Sequence, residues 1–499
     1  MPSLAHLGLA LGLAATTVSA GTLSVSINRR PLNRFVSITK RDGTADLEAI
    51  NNVTIGGYFA EMDIGTPGQT ITFQLDTGSS DTWLNSVDTD LCNDDYLQSF
   101  SGYCMATFDP EESSSFGDAD EFDFDISYLD GRRIQGFYFE ETVAIGDAVI
   151  ENQQLGLALE SVRPTGIMGL GFSANVAALE SYPTIVDNLY TQGHINSRAF
   201  SLYLNDLSAS SGTILFGGID SQKYINDLAF LDLVPDFQSI GSDITSFNVP
   251  IDGVRLSHPG GTDETSSGSA TALLDSGATV CLLPDDFAQE MFERFEVETL
   301  DELPIRFVSC DWAGERGEDY EFEFAFQGKT IRVPMNEMVI DSWADSPEIF
   351  DSDPILRRLR DSLGGSVCLF GIDSIADYGI SDDSVMLLGD TFLRSAYVVY
   401  DLENQQLALA QANLNSTDSN IVEIPSNSTR IPRISGVEGQ EESGGGGFGN
   451  GNGSDDDDSD NNGSAEEEGG ESGAGAFAPS FAMLSTALVV AAGVVMTGL

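Results

Sequence analysis

TFQLDTGSSDTWL, residues 72–84, is the stretch of this 499-residue chain on which the fold depends. Apolar residues alternate with polar ones at Ile71, Phe73 and Leu75, which predicts a half-buried strand. The strand ends at Asp76 and enters a turn that contains Gly78, where the backbone can approach a ligand closely. The stretch therefore predicts a carboxylate presented at the end of a strand.

The same context recurs at residues 272–279, which read ALLDSGAT. Each Asp-[Ser/Thr]-Gly is followed further on by an apolar run that ends in glycine, GIMGLG at residues 166–171 and VMLLG at residues 385–389. A lone Asp-[Ser/Thr]-Gly is weak, because a chain rich in these residues contains such a triplet by chance. Repetition of the whole context instead predicts two copies of one unit, folded as two similar lobes.

Two such lobes facing each other would bring Asp76 and Asp275 together at their seam. Two carboxylates that share a site cannot easily both ionise, so one pKa rises and the pair holds a single proton. The pair would then supply a general acid and a general base in one place.

These motifs resemble those of pepsin-like aspartic endopeptidases, and more narrowly those of the fungal, membrane-anchored yapsin group. The resemblance extends from about Gly57 to Ala412. Residues 58–67 resemble the family's first strand, and residues 215–220 and 387–394 resemble landmarks of its second lobe. The resemblance implies an all-β, bilobal, pepsin-like acid protease fold, with two β-barrel-like lobes and the active site at their seam.

The resemblance also implies a mechanism for Asp76 and Asp275. The ionised aspartate takes a proton from a bound water that attacks the peptide carbonyl, while the protonated aspartate donates to the carbonyl oxygen. Which of the two starts protonated cannot be assigned, because the pair titrates as a unit. The two active-site loops contribute the supporting residues Thr77, Gly78, Ser79, Ser276 and Gly277.

The two loops differ at one position. Ser79 is expected to donate a hydrogen bond to the outer oxygen of Asp76, but its counterpart in the second loop is Ala278, which has no hydroxyl. The loss of a donor removes stabilisation of a carboxylate's charged form and raises its pKa. We therefore expect a less acidic pH optimum than that of a pair with both donors.

Residues 122–138 predict a long hairpin that turns at Asp130-Gly131. Most such patterns are surface hairpins, but the resemblance implies the flap that closes over the substrate, with Tyr128 as the flap tyrosine. Leu129 stands where the family usually has glycine. Asp130, at the tip, is expected to pair with a basic side chain of the substrate.

The chain has five cysteines, and an odd number in a secreted protein leaves at least one thiol unpaired. Cys92 and Cys104 flank a short polar loop and are predicted to form one disulfide, and the resemblance implies a second between Cys310 and Cys368. Cys281 follows Asp275 in an apolar strand, where a free cysteine behaves as a small hydrophobe. No Cys or His pattern indicates a metal or other cofactor, and no motif offers a rival nucleophile.

The net charge is −57, and 41% of the residues are apolar, enough for a substantial core. So negative a field excludes nucleic acid as a partner. The charge can serve solubility alone. The functional alternatives are an acidic environment, where many carboxylates are neutralised, and cationic substrates drawn to a negative cleft.

Residues 1–20 have the apolar core and small terminal residues of a secretory signal. Residues 21–41 contain no acidic residue and are predicted to be a basic pro-segment that lies on the negative cleft and is removed at Lys40-Arg41. The alternative is an exposed basic tail. The two lobes are then assigned to residues 42–200 and 201–413.

Residues 414–472 are rich in Ser, Gly, Asn and Asp, and predict a disordered stalk. The apolar end of the chain, residues 473–499, resembles a glycosylphosphatidylinositol (GPI) signal that is removed, with Ser472 as the favoured attachment residue and Gly470 or Asn462 as alternatives. The alternative is a tail-anchored helix. Acceptor sequons for N-glycans stand at Asn52, Asn415, Asn427, Asn452 and Asn462.

The expected function is that of a monomeric aspartic endopeptidase that is anchored outside the plasma membrane or in the wall by a GPI lipid. It would process cell-surface or secreted proteins and prefer basic residues in its peptide substrates. A binding protein with a dead site on the same scaffold is the main alternative. A glycosidase with paired carboxylates is a third hypothesis, which the repeated turn context does not predict.

Overall fold

A computed structural model describes residues 21–29, 57–101, 104–209, 211–236, 242–265, 270–300, 303–344 and 347–439. These residues are mostly strand with few helices, which confirms the all-β class and is consistent with the bilobal fold. The signal sequence, Lys40-Arg41, Asn52, Asn452, Asn462 and Ser472 lie outside the described residues, so the predictions for them stay predictions.

The first half of the chain supplies twelve strands of the described residues. They are β1 (Leu23–Arg29), β2 (Tyr58–Ile64), β3 (Gln69–Asp76), β4 (Trp83–Asn85), β5 (Gly117–Ser127), β6 (Arg133–Ile145), β7 (Ala148–Glu160), β8 (Gly166–Gly169), β9 (Ala199–Tyr203), β10 (Ser211–Phe216), β11 (Gly218–Asp220) and β12 (Ala229–Asp232).

The second half supplies the remaining described strands. They are β13 (Asn248–Ile251), β14 (Gly253–His258), β15 (Gly261–Glu264), β16 (Ala270–Leu274), β17 (Cys281–Leu283), β18 (Glu298–Leu300), β19 (Leu303–Val308), β20 (Glu321–Phe326), β21 (Lys329–Pro334), β22 (Val339–Ile340), β23 (Cys368–Phe370), β24 (Ile372–Ser374), β25 (Val385–Leu388), β26 (Ala396–Asp401), β27 (Gln406–Gln411) and β28 (Ile421–Glu423).

The helices are short. They are α1 (Asp90–Asn93), α2 (Asp95–Ser101), α3 (Ile185–Thr191), α4 (Asp285–Arg294), α5 (Ile349–Ser352), α6 (Pro354–Ser362) and α7 (Asp390–Leu393), with single 3-10 turns at Pro110–Glu112, Ser173–Asn175, Cys310–Ala313, Met335–Glu337 and Ile375–Tyr378. Among the described residues, none of the helices has the length and apolar character needed to span a membrane.

The internal repeat is visible in the strand pairing. β3 runs parallel to β8, with Asp76 beside Gly169, and β16 runs parallel to β25, with Leu274 beside Leu388. The amide of Leu170 donates to the carbonyl of Asp76 in the first copy, and the amide of Asp275 donates to Leu388 in the second. Each apolar run that ends in glycine therefore lies beside the strand that carries its aspartate.

One large sheet connects the two halves of the chain. It contains β1–β10, β12, β26 and β27, so strands from both ends of the sequence belong to it. The lobe boundary placed after residue 200 falls inside β9, which pairs with β10 on one side and β26 on the other. Strands β13–β25 form three smaller sheets. Asp275 follows β16, which belongs to the five-stranded one of these sheets.

The described part of the predicted pro-segment does not lie across the cleft. Residues 23–29 form β1, which pairs along its length with β10 and near its end with β2. Ile27 is fully buried in the main core cluster. The alternation of LSVSINR has a strand period, and this local signal outweighs the positive charge of the segment.

The predicted stalk begins too early. Residues 414–439 belong to the folded body, where β28 pairs with β11 and residues 435 and 437 make bridges to 227 and 225. Ile424 and Ile431 are fully buried in a cluster with Tyr224 and Tyr397. A few apolar side chains anchor this polar segment, which composition alone did not reveal. Asn415 and Asn427 lie exposed on it, and their glycosylation stays a prediction.

Both predicted disulfides are confirmed. Cys92 bonds to Cys104 across α1 and α2, and Cys310 bonds to Cys368 beside β23. Cys281 is buried and free, and its thiol lies 3.3 Å from the hydroxyl of Thr391. Burial raises the pKa of this thiol to about 11, which keeps it neutral and unreactive.

Candidate active site

Asp76 lies at the end of β3, where the strand gives way to the turn that contains Gly78. The amide of Gly78 donates to Oδ1 of Asp76 at 2.8 Å, and the hydroxyl of Ser79 donates to Oδ2 at 2.5 Å. Both carboxylate oxygens are therefore held by donors from the same loop, in the arrangement that the sequence predicted for Ser79.

Asp275 follows β16 in the second copy of the motif. The amide of Gly277 donates to its Oδ1 at 2.7 Å, but Ala278 offers no side-chain donor to the other oxygen. Desolvation raises the pKa of Asp275 well above its usual value, and the neighbouring charge of Asp76 raises it further. A Cβ atom on Gly277 would lie 2.4 Å from Oδ1 of Asp76 and 3.0 Å from Oδ1 of Asp275, so the two carboxyl groups share one site and can share a proton.

Thr77 and Ser276 connect the two loops. The amide of Thr77 donates to Oγ of Ser276 at 3.2 Å, and the amide of Ser276 donates to Oγ1 of Thr77 at 2.9 Å. Each hydroxyl then donates across the seam, Thr77 to the carbonyl of Leu274 at 2.8 Å and Ser276 to that of Leu75 at 3.1 Å. These buried bonds fix the separation of the two aspartates, because neither loop can move alone without breaking them.

The glycines of the two motifs make room for the opposite carboxylate. A Cβ atom on Gly277 would lie 2.4 Å from Oδ1 of Asp76, and one on Gly78 would lie 2.6 Å from Cγ of Asp275. Any other residue at either position would push the carboxyl groups apart. The sequence predicted a close approach at Gly78, and the tertiary structure shows that the approaching group is the second aspartate.

The hairpin of β5 and β6 carries the predicted flap residues above this pair. The amide of Tyr128 donates to the carbonyl of Arg132, and Gly131 adopts the left-handed conformation that the turn requires, with φ of 79°. Nε1 of Trp83 donates to the hydroxyl of Tyr128 at 2.6 Å. This hydrogen bond connects the flap tip to β4, the strand that follows the first active-site loop in the chain.

Asp130 does not project freely from the flap tip as the sequence suggested. Its Oδ2 lies 3.2 Å from Nη2 of Arg163 and 3.5 Å from Nη1 of Arg132, and both arginine side chains are buried. The carboxylate therefore already has two cationic partners within the protein. Sequence reasoning missed Arg163 because it lies far from the hairpin in the chain.

A cleft of about 130 Å³ lies against the two aspartates, and both of them line it together with Tyr128, Asp130 and Arg163. Most of the remaining lining is apolar, from Leu129, Ile167, Val280, Leu282 and Leu387. The arrangement can therefore seat an apolar side chain next to a pair of carboxyl groups that shares a proton.

A family model described as "Eukaryotic aspartyl protease" matches residues 57–350 and 353–412. The chain belongs to this family. Among the relatives of this aspartyl protease, "Probable aspartic-type endopeptidase OPSB" of Arthroderma benhamiae is 34% identical over 419 residues, which are 82% of this chain and 79% of the relative. The protein of the same name in Aspergillus fumigatus is 33% identical over 414 residues, with the same two shares. "Candidapepsin" of Candida tropicalis is 32% identical over 412 residues, 81% of this chain and 91% of the relative.

The aspartyl protease holds a third carboxylate close to the two aspartates of its site, which sequence reasoning also missed. Asp81 is fully buried and accepts hydrogen bonds from the hydroxyls of Tyr138 at 2.9 Å and Tyr182 at 2.7 Å, and from the amide of Ala177 at 2.7 Å. Burial raises its pKa, and these donors oppose the rise. The sequence did contain a signal for this site. Asp81 stands two positions before the apolar Trp83-Leu84, and a charged residue that is buried in such a stretch needs hydrogen-bond partners.

One group of possible metal ligands occurs among the described residues, formed by Cys310, Asp341 and Cys368. The two cysteines are bonded to each other, so neither offers a thiolate to an ion. This group supplies no metal centre to the aspartyl protease.

Replacing Ala278 with threonine is expected to lower the pH optimum of the aspartyl protease. A hydroxyl that donates to Asp275 stabilises its charged form and lowers its raised pKa, so the pair loses its shared proton at lower pH and the alkaline limb of the profile moves down. We expect a shift of about 0.5–1 pH unit, for one added hydrogen bond to a carboxylate. The measurement is kcat/KM against pH, with Ala278→Val as the control of equal size; an unchanged alkaline limb would contradict the argument.

Proposed function

We propose that Asp76 and Asp275 are the catalytic pair of this aspartic endopeptidase. The observation that supports the proposal is the convergence of the two carboxyl groups on Gly277, where one Cβ atom would lie within 3.0 Å of both, with crossed hydrogen bonds between their loops. The ionised member takes a proton from a bound water, and that water attacks the carbonyl carbon of the peptide bond. The protonated member donates to the carbonyl oxygen, so no covalent intermediate with the protein forms.

The loops and the flap then have distinct roles in this reaction. Thr77 and Ser276 hold the loops together, Gly78 and Gly277 allow the carboxyl groups to meet, and Ser79 orients Asp76 by donating to its Oδ2. Tyr128 covers the site from the flap and excludes bulk water while the bound water attacks the peptide bond.

We propose that the substrates are proteins exposed outside the cell, with a preference for basic residues near the cleaved bond. The net charge of −57 supports this preference, because a negative field attracts cationic chains. Asp130 does not support it, because its carboxylate is paired with arginine. The apolar cleft lining instead favours an apolar side chain beside the cleaved bond, so the basic residues would bind farther along the cleft.

We further propose that the protein is a monomer of the yapsin-like type on the outer face of the plasma membrane or in the wall. Residues 1–20 would direct secretion, cleavage at Lys40-Arg41 would cut the chain between β1 and β2 while β1 stays paired with β10, and a GPI lipid on Ser472 would replace residues 473–499. One chain supplies both aspartates, which supports the monomer. Because residues 414–439 pack on the folded body, the stalk would begin after residue 439.

The test of activity and specificity is digestion of a mixed peptide library by the secreted, processed protein, at steps from acidic to neutral pH. We expect cleavage in the acidic range, with Lys or Arg enriched near the cut bonds. Cleavage without such enrichment would overturn the basic preference and leave the protease intact. No cleavage at any pH by a folded, processed protein would favour the binding scaffold.

The test of anchorage uses intact cells that express the full chain. Phosphatidylinositol-specific phospholipase C is expected to release the protein from the surface, and deletion of residues 473–499 is expected to send it to the medium. Retention after the lipase, in a fraction that detergent extracts, would favour a tail-anchored helix instead.

A further inference from the structure

Arg163 is a buried cation in the cleft, in the connection between β7 and β8. Its side chain is only 8% exposed. Two contacts hold its backbone in place: the side chain of Asn85 donates to its carbonyl at 2.9 Å, and its own amide donates to the hydroxyl of Ser161 at 3.1 Å. The backbone of Arg163 is therefore held by hydrogen bonds, and the residue lies outside the flap hairpin in the chain.

The guanidinium of Arg163 makes two contacts with the flap tip. Its carbon lies 4.8 Å from the centre of the Tyr128 ring, in the range of a cation–π contact. Its Nη2 donates to Oδ2 of Asp130 at 3.2 Å. The residues on both sides of exposed Leu129 are thus held by one side chain from outside the hairpin.

The same guanidinium also reaches the floor of the cleft. Its Nη1 donates to Oε1 of Gln74 at 3.4 Å, and Nε2 of Gln74 donates to the carbonyl of Gly277 at 3.1 Å. Gly277 in turn donates its amide to Asp275. A continuous set of polar contacts therefore connects the flap tip to the second aspartate through Arg163.

We propose that Arg163 is a positioning residue that holds the flap tip, through Tyr128 and Asp130, over the catalytic pair. The proposal rests on the proposed roles of Asp76 and Asp275. The planar guanidinium suits this role, because its N–H groups can donate hydrogen bonds in fixed directions while its face lies over an aromatic ring. A flap that is already held in place loses less conformational entropy when the substrate binds. The contacts of Arg163 therefore strengthen substrate binding.

Flap mobility can be measured without any activity, by amide hydrogen exchange in an Asp76→Asn background. Arg163→Gln is expected to speed exchange at the amides of Tyr128 and Gly131 about 10-fold, because local opening becomes easier. The matched control is Arg133→Gln, which removes an exposed ion pair with Asp125 on the same hairpin and leaves Arg163 in place. Equal acceleration in both variants, or none in Arg163→Gln, would overturn the proposal.

Kinetics on the active protein provide the second readout. We expect Arg163→Gln to raise KM for a peptide substrate about 10-fold and to lower kcat by less, because binding must now order the flap. Arg163→Lys should recover only part of the loss, because lysine keeps the positive charge but lacks the planar group with several N–H donors. Asp130→Asn should add little to Arg163→Gln, because both changes remove the same contact.

The kinetic results also separate this role from a direct one. If Arg163 instead bound an acidic substrate side chain, Arg163→Gln would weaken only acidic peptides and leave flap exchange unchanged, which would overturn the proposal. If the wild-type protein cleaved no peptide at any pH, the catalytic roles would fail, whereas the exchange experiment would still decide whether Arg163 holds the flap.

Discussion

Asp76→Asn is expected to lower kcat by about 10³-fold or more, because it removes one member of the acid–base pair. An asparagine keeps the size and most of the hydrogen bonds of the side chain, including the bonds from Gly78 and Ser79 in altered form. The fold should therefore survive while the shared proton is lost. The measurement is single-turnover cleavage of a peptide that the wild-type protein cuts, at the wild-type pH optimum.

Asp275→Asn should cause a loss of the same order, and the double variant should lose little more, because the two carboxyl groups act as one unit. The matched control is Asp125→Asn on the flap hairpin, which removes an exposed carboxylate paired with Arg133 and should leave kcat almost unchanged. Residual activity of more than a tenth in either catalytic variant would contradict the roles assigned to the pair.

Arg394→Met is expected to destabilise the fold by about 3–5 kcal/mol, because it leaves a buried carboxylate without its cation. Nε and Nη2 of Arg394 donate to the side chain and the carbonyl of Glu337, and both side chains are almost completely buried. Asp390 lies close by, and burial raises its pKa well above its usual value while Arg394 and Arg29 lower it. Removal of Arg394 therefore leaves two acidic groups in the interior with less compensation.

The free energy of unfolding, measured in urea, would test this expectation. The double variant Arg394→Met with Glu337→Met should recover most of the loss, because an apolar pair of similar volume removes the unpaired charge. Arg133→Met, which breaks the exposed pair with Asp125, should cost less than about 1 kcal/mol. Equal costs for the buried and the exposed pair would contradict the argument.

The core of the site could be predicted from the sequence because its signals are local. Alternating apolar residues predict β3, and the Asp-Thr-Gly turn that follows places Asp76 at its end. Repetition of that context at Asp275 then predicts the second half of the site. A strand and its turn are set by neighbouring residues, so short patterns are sufficient to find them.

The partners of Asp130 could not be predicted in this way. The hairpin itself is local, but Arg163 reaches the flap tip from the connection between β7 and β8. The prediction that residues 414–439 belong to a disordered stalk was wrong for the same reason. Ile424 and Ile431 of this polar segment pack in a cluster with Tyr224. In both cases the deciding contact joins residues that are distant in the chain, and no local pattern records it.

The sequence by itself determined the all-β class, the internal repeat, the two aspartates and the Cys92–Cys104 disulfide. Each of these depends on residue types at short spacing, or on a repeat of such a spacing. Only the tertiary structure decided that Gly78 and Gly277 make room for the opposite carboxyl groups, that Arg163 pairs with Asp130, and that residues 414–439 belong to the folded body. These features depend on distances between elements, which the packing of strands fixes after the local structure has formed.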